Sequence, residues 1–175
     1  MRKMIVYFHG YGSSSKSDKV TRLKAEENFK VFSFDIDIDP DVAFKQLSHN
    51  IDMALIEDMH LPEELIFIGT SLGGWWAEKI AKLYQCKAVI INPSVNPASS
   101  LSKYGVAKEI RDKYYEFQPD VRHKYFFAKC DDVINNEQFR TNLIESGHDV
   151  TIDSKADHRF SGEPFENVVN YLKSL

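Results

Sequence analysis

Glu64-Leu65-Ile66-Phe67-Ile68-Gly69-Thr70-Ser71-Leu72-Gly73-Gly74 is the stretch on which the reading of this chain turns. A short apolar run ends in Gly-x-Ser-x-Gly and passes straight into a segment with Ala77, Ile80, Ala81 and Tyr84 at helical spacing. That is the sequence form of a strand–turn–helix elbow holding a serine on a sharp turn at a strand's end. A serine held in a strained backbone needs small residues two before and two after it, and Gly69 and Gly73 meet that need. The pattern alone is weak, because Gly and Ser recur in any loop. The competing reading is an ordinary tight turn with a solvated serine.

Outward from the elbow, the chain alternates between short apolar runs and helical patterns. Residues 3–8 form a continuous apolar run, as in a strand buried on both faces, and end in His9-Gly10-Tyr11-Gly12. A helix is expected around 20–28, a strand at 30–34 and a long helix over about 41–59, broken at Leu61-Pro62. Beyond the elbow helix come a strand at 87–91, a strand at 123–128, a helix at about 136–146, a strand at 149–153 and a last helix at about 164–172. Residues 94–119 lose clean periodicity and read as a cap-like excursion over one edge of the sheet, with short helices around 106–115. The order implies an α/β fold, a three-layer α/β/α sandwich around a parallel sheet of about six strands. No linker, repeat or low-complexity segment divides the chain, so one domain is expected over 1–175.

Bulk properties narrow the function classes. The chain has 175 residues, 43% hydrophobic and 27% charged, as an ordinary globular domain does. With 22 Lys and Arg against 26 Asp and Glu, its net charge of −4 favours neither nucleic acid nor an anionic membrane surface. The apolar run after Met1-Arg2-Lys3 is shorter than a secretory or membrane segment requires, so the chain reads as cytoplasmic. Cys86 and Cys130 make neither a disulfide framework nor a metal site, and are expected as free thiols.

In open parallel sheets functional groups gather at the carboxyl ends of the strands. Those ends are His9-Gly10-Tyr11, Asp35, Ser71, Asn92, Asp131-Asp132 and Asp157-His158. A serine, an acid and a histidine therefore share one edge in the chain order Ser, Asp, His. Ser71 is the candidate nucleophile and His158 the candidate base. Asp131 is favoured over Asp132 as the acid that orients the histidine. His49, His60, His123 and His148 fall on the helix or at the wrong edge, and His9 is expected to be structural or to shape a loop. The backbone N–H groups of Tyr11 and Leu72 are the candidate oxyanion donors. Of Trp75 and Trp76, one is expected to line the site and the other to pack, against a reading in which both pack. Trp75 is carried with Tyr11 as a substrate-binding candidate.

Taken together, His9-Gly10-Tyr11, the Gly73-Gly74-Trp75-Trp76 run, Asn92-Pro93-Ser94-Val95-Asn96-Pro97 and Asp157-His158-Arg159-Phe160 resemble the α/β-hydrolase superfamily in a small, trimmed form. More narrowly, they are similar to the bacterial YqiA/YcfP-type esterase-like proteins. The resemblance implies hydrolysis of a small-molecule carboxylic ester or thioester through Ser71, Asp131 and His158, with no cofactor and no metal. Two other readings are weighed beside it. One is a catalytically silent binding protein on the same fold. The other is nucleotide binding, from Gly10-x-Gly12 and Asp35, which fails at the third glycine, where Ser15 stands.

Overall fold

The computed structural model describes residues 3–57 and 64–175, so the expected helix end at 58–59, the break at Leu61-Pro62 and the reading of His60 lie outside the described residues. The elements run β1 (Lys3–Phe8), α1 (Asp18–Lys24), β2 (Phe29–Ser33), α2 (Pro40–Glu57), β3 (Glu64–Thr70), α3 (Leu72–Tyr84) and β4 (Lys87–Ile91). They continue with α4 (Pro97–Ser102), α5 (Lys108–Arg111), β5 (Lys124–Ala128), α6 (Glu137–Glu145), β6 (Asp149–Asp153) and α7 (Glu163–Ser174).

All neighbouring strands are parallel, in the order β2-β1-β3-β4-β5-β6. Alternation along the strands sends side chains to two separate cores. Val6, Phe8, Phe67 and Ile90 pack under α2, α3 and α6, where Leu47, Ile51, Trp76, Ile80 and Leu143 are buried. Ile5, Ile66, Val89 and Phe126 pack under α1 and α7, where Val20, Leu23, Val168, Val169 and Leu172 are buried. The sheet is thus covered on both faces, which is why its central strands read as unbroken apolar runs rather than alternating ones.

This order contains a switch point. From β1 the chain moves to β2 on one side and then returns to β3 on the other, so the loops leaving β1 and β3 diverge over a crevice. The register places Phe8 opposite Gly69, which brings Gly10 alongside Ser71. Thr70 lies opposite Ile91, which brings Asn92 to the same level. Among the described residues no helix is long and apolar enough to cross a membrane. Cys86 and Cys130 are both free.

The excursion is more ordered than its composition suggests. Asn96 caps α4 by accepting the Ser99 N–H at 3.0 Å, with Pro97 in the first turn. The segment is tied down by Tyr114, whose hydroxyl donates to the Ile38 carbonyl at 2.9 Å, and by Lys113, which pairs with Asp39 at 2.5 Å.

Candidate active site

Ser71 occupies the turn between β3 and α3 with φ 58° and ψ −122°, a backbone region that non-glycine residues avoid. Close packing on both sides holds it there. A Cβ at Gly69 would stand 1.9 Å from the Gly73 carbonyl oxygen, and one at Gly73 would stand 2.0 Å from the Phe8 carbonyl oxygen. The start of α3 is therefore pressed onto the end of β1, and only glycine fits. The Ser71 N–H donates to the Ile91 carbonyl at 3.0 Å, and its carbonyl accepts from Gly74 and Ser94. Backbone on every side fixes the serine.

His158 and Asp131 converge on it. Nε2 of His158 lies 3.1 Å from Ser71 Oγ, and Nδ1 lies 2.8 and 3.0 Å from the two carboxylate oxygens of Asp131. An ionised carboxylate can only accept, so Nδ1 carries the proton. Nε2 is then left as the acceptor for the serine hydroxyl. Asp131 has a side chain only 6% exposed. Burial opposes its charge, but the bond from His158 and the N–H groups of Ile134 and Val133 outweigh that and hold its carboxyl below the usual range. Asp132 is exposed. Of the two adjacent acids, the structure joins Asp131 to the histidine.

Gly10 brings the β1 loop close: a Cβ there would lie 3.3 Å from the Ser71 Cβ. The His9 ring packs inward and its Nδ1 bonds the Gly10 carbonyl at 2.9 Å. Leu72 opens α3, so its N–H belongs to the first turn, where no carbonyl four residues back can receive it. Asp35, which a nucleotide site would assign to a ribose, instead accepts the Ser15 N–H at 2.8 Å.

These groups open onto a cleft of about 640 Å³, lined among others by Tyr7, Tyr11, Leu101, Tyr104 and Ile134. Tyr11 and Tyr104 meet across it with ring centroids 4.9 Å apart. The expectation for Trp75 does not survive. Its indole is 0% exposed, donates to the Tyr115 carbonyl at 2.9 Å, and packs edge-on against Trp76 and Tyr114. It is absent from the cleft wall because its side chain turns into the core beneath α2, although Leu72 in the same helical turn lines the crevice. Trp76 is buried as well, so both tryptophans are packing residues.

One residue at the site escaped the sequence reading as a functional group. Asn92, fully buried with φ 40°, donates from Nδ2 to the carbonyls of Asp157 and His158 at 3.1 and 3.0 Å. Its Oδ1 accepts the Ala128 N–H at 2.8 Å. It thus fastens the His158 loop to the ends of β4 and β5. Its place at a strand end was visible in the sequence, but its three partners lie 36 to 66 residues away. Of the remaining histidines, His49 is exposed, His148 sits in the turn before β6, and His123 is buried at the opposite end of the sheet. Among the described residues no group of three His, Cys, Asp or Glu could hold a metal ion.

The strand order with its elbow serine defines the α/β-hydrolase fold, and solved structures agree. An esterase from Pyrococcus furiosus matches with a TM-score of 0.73 over 98% of this chain and 81% of its own, at 16% identity. Est1E from Butyrivibrio proteoclasticus matches at 0.72 over 99% and 87%, at 10% identity. ClbQ from the colibactin NRPS/PKS pathway matches at 0.69 over 99% and 96%, at 14% identity. At these identities the likeness is one of fold.

Within that fold the chain belongs to the UPF0227 family, described as an uncharacterised protein family, whose model matches residues 4–171. A UPF0227 protein of Vibrio vulnificus is 29% identical over 90% of this chain and 91% of its own length. The UPF0227 protein YcfP of Escherichia coli is 25% identical over 98% and 99%.

Proposed function

We propose that one α/β-hydrolase domain spanning 1–175 acts as a serine hydrolase on small carboxylic esters or thioesters. The observation that carries this reading is the hydrogen-bonded chain from Ser71 Oγ through His158 to Asp131, set on a strained elbow at the mouth of a cleft. Ser71 Oγ attacks the carbonyl carbon while its proton passes to His158 Nε2. Asp131 keeps the imidazole in the reactive tautomer and stabilises its cation. The N–H groups of Leu72 and Tyr11 receive the developing oxyanion, each contributing about 3 kcal/mol by the usual mutational measure. The intermediate collapses to an acyl-enzyme, and His158 delivers its proton to the departing alcohol or thiol. Water then attacks the acyl-enzyme with His158 again taking a proton, which releases the acid and restores Ser71.

Tyr11 contributes its ring to the cleft wall as well as its backbone N–H. A panel of 4-nitrophenyl esters from C2 to C10, with Ser71→Ala as the blank, tests the reading. Turnover and fluorophosphonate labelling that both vanish in Ser71→Ala are expected. Folded wild-type protein that neither labels nor turns over any ester makes it a binding protein instead.

A further inference from the structure

The cleft holding Ser71 runs against the charge of the whole molecule. The chain carries a net charge of −4, yet besides His158 the charged side chains on the cleft wall are Lys19, Lys103 and Arg159 against the one carboxylate of Asp18. Lys19 comes from α1 and Arg159 follows His158 directly. Neither makes a hydrogen bond or an ion pair within 4.0 Å among the described residues.

Other partly buried lysines of this chain are compensated. Lys79 lies over three rings, Phe44, Trp75 and Tyr115, at 5.0, 5.3 and 4.6 Å. Lys82 pairs with Glu78 and donates to the Gln118 carbonyl at 2.7 Å. Lys3 donates to the Leu172 carbonyl at 2.7 Å. Lys19 has only the Phe165 ring, 5.5 Å away, and feels Asp157, Asp18 and Arg159 through space; burial pushes its ammonium pKa down. Beside it the Ser17 hydroxyl oxygen is buried with no hydrogen-bond partner, and it lines the same wall. An unpaired partly buried cation and an unpaired buried hydroxyl each carry a desolvation cost that a bound anion would relieve. Elsewhere on the cleft wall, Leu101, Tyr104 and Ile134 offer apolar surface.

Resting on the hydrolase reading above, we propose that the substrate is an ester bearing an acidic group, a carboxylate or a phosphate, received by Ser17, Lys19 and Arg159. The apolar wall takes the carbon chain, and the scissile carbonyl sits between the two at Ser71. The neutral part of the substrate is thereby held by area and the acidic part by charge, so selectivity between esters of equal length depends on charge.

The test compares mono(4-nitrophenyl) glutarate with 4-nitrophenyl valerate, which matches its length without the acid. At low salt kcat/KM for the half-ester should exceed that for the neutral ester by about tenfold, the scale of a charge-assisted hydrogen bond. Lys19→Met and Arg159→Gln should each shrink that ratio, Lys19→Arg should keep most of it, and added NaCl should narrow it by screening. Free glutarate or inorganic phosphate should compete with the half-ester in wild type and lose potency in Lys19→Met; the more potent of the two identifies the acidic group. Equal kcat/KM for the two esters, a ratio untouched by both variants, or no inhibition by either anion would overturn the proposal and leave the hydrolase reading standing. Calorimetric binding of the intact half-ester to Ser71→Ala separates the opposite case. Lys19-dependent binding there, with no turnover in wild type, keeps the anion subsite and removes the hydrolase.

Discussion

Nδ1 of His158 lies 2.8 Å from Oδ2 of Asp131, on a carboxylate whose Oδ1 already accepts the N–H groups of Val133 and Ile134 at 2.9 Å each. The acid is therefore fixed by its own loop before it fixes the histidine. Asp131→Asn replaces an acceptor-only group with one that can donate toward Nδ1, which favours the wrong tautomer. It should lower kcat by about 10²–10⁴-fold. Asp132→Asn, on an exposed side chain, should stay within about twofold of wild type, as surface changes usually do. Steady-state rates of the two variants on one ester decide it. The reverse ranking would assign the role to Asp132.

Packing around the elbow gives a second expectation. A methyl group at Gly73 would sit 2.0 Å from the Phe8 carbonyl oxygen, and backbone cannot swing aside as a side chain can. Gly73→Ala should cost at least about 3 kcal/mol, at the severe end of single substitutions. Gly12→Ala meets nothing within 4 Å and bears only the strain of φ 73°, so it should cost about 1–2 kcal/mol. Urea unfolding of both variants compares them; similar losses would contradict the close approach of α3 to β1.

The elbow was legible because its cause is local: a strand buried on both faces, two glycines that alone fit, and a helix of known period lie within one short stretch. The order Ser71, Asp131, His158 was legible because parallel strands deliver their carboxyl ends to one edge. What sequence could not supply was the direction of side chains that any face would accept. Trp75 could serve a cleft or a core equally by composition, and only the orientation of α3 against α2 and the excursion sends it inward. Asp131 was already favoured over Asp132 in the sequence, and the physical ground lies in the turn, where the Asp131 carboxylate accepts the Val133 and Ile134 N–H groups and meets His158.

The burial of Trp75 can be tested directly. Trp75→Phe keeps most of the apolar volume but leaves the Tyr115 carbonyl without its donor, which should cost about 1–3 kcal/mol of stability. KM for a small ester should stay near the wild-type value, since the ring does not reach the cleft. Thermal unfolding and saturation kinetics on the same preparation give the answer. An altered KM with unchanged stability would return Trp75 to the substrate wall.

His123 links stability to pH. Burial, aided by Arg122 and Lys82 and opposed by Asp120, pushes its imidazole pKa down to about 4, and its Nδ1 accepts the Ala88 N–H at 3.2 Å. The folded state thus resists protonation that the unfolded chain accepts near its ordinary value of about 6.5. Between those values the unfolded state binds more protons, so this contribution is present above about pH 6.5 and is lost as pH falls toward 4. The loss amounts to about 3 kcal/mol at most. His123→Asn keeps a side-chain acceptor for Ala88 but cannot titrate, so it should lose less stability than wild type between pH 7 and 5. Urea midpoints at the two pH values measure the difference; parallel losses would show that His123 does not titrate with folding.

Asn92 ties the loop that carries His158 to the sheet, and its removal should separate stability from the rate the proposed triad supplies. Its Nδ2 holds the carbonyls of Asp157 and His158, while Oδ1 holds the Ala128 N–H, all in a fully buried position. Asn92→Ala leaves one donor and two acceptors without partners and so should destabilise the fold by about 2–4 kcal/mol. With its anchor gone, the His158 loop should let the imidazole drift from Ser71 Oγ. Because a displacement of about 1 Å can cost roughly 10²-fold in rate, kcat should fall by about that much while KM changes little. Asn92→Asp retains the size and the acceptor for Ala128 but turns a carboxylate toward two carbonyls, so it should lose rate as well. Its deficit should ease at low pH as the new carboxyl becomes protonated and can donate again. Rates and unfolding midpoints for both variants, taken from pH 5 to 8, test this. A variant destabilised yet unchanged in kcat would confine Asn92 to the scaffold and leave the His158 loop positioned by its own turn.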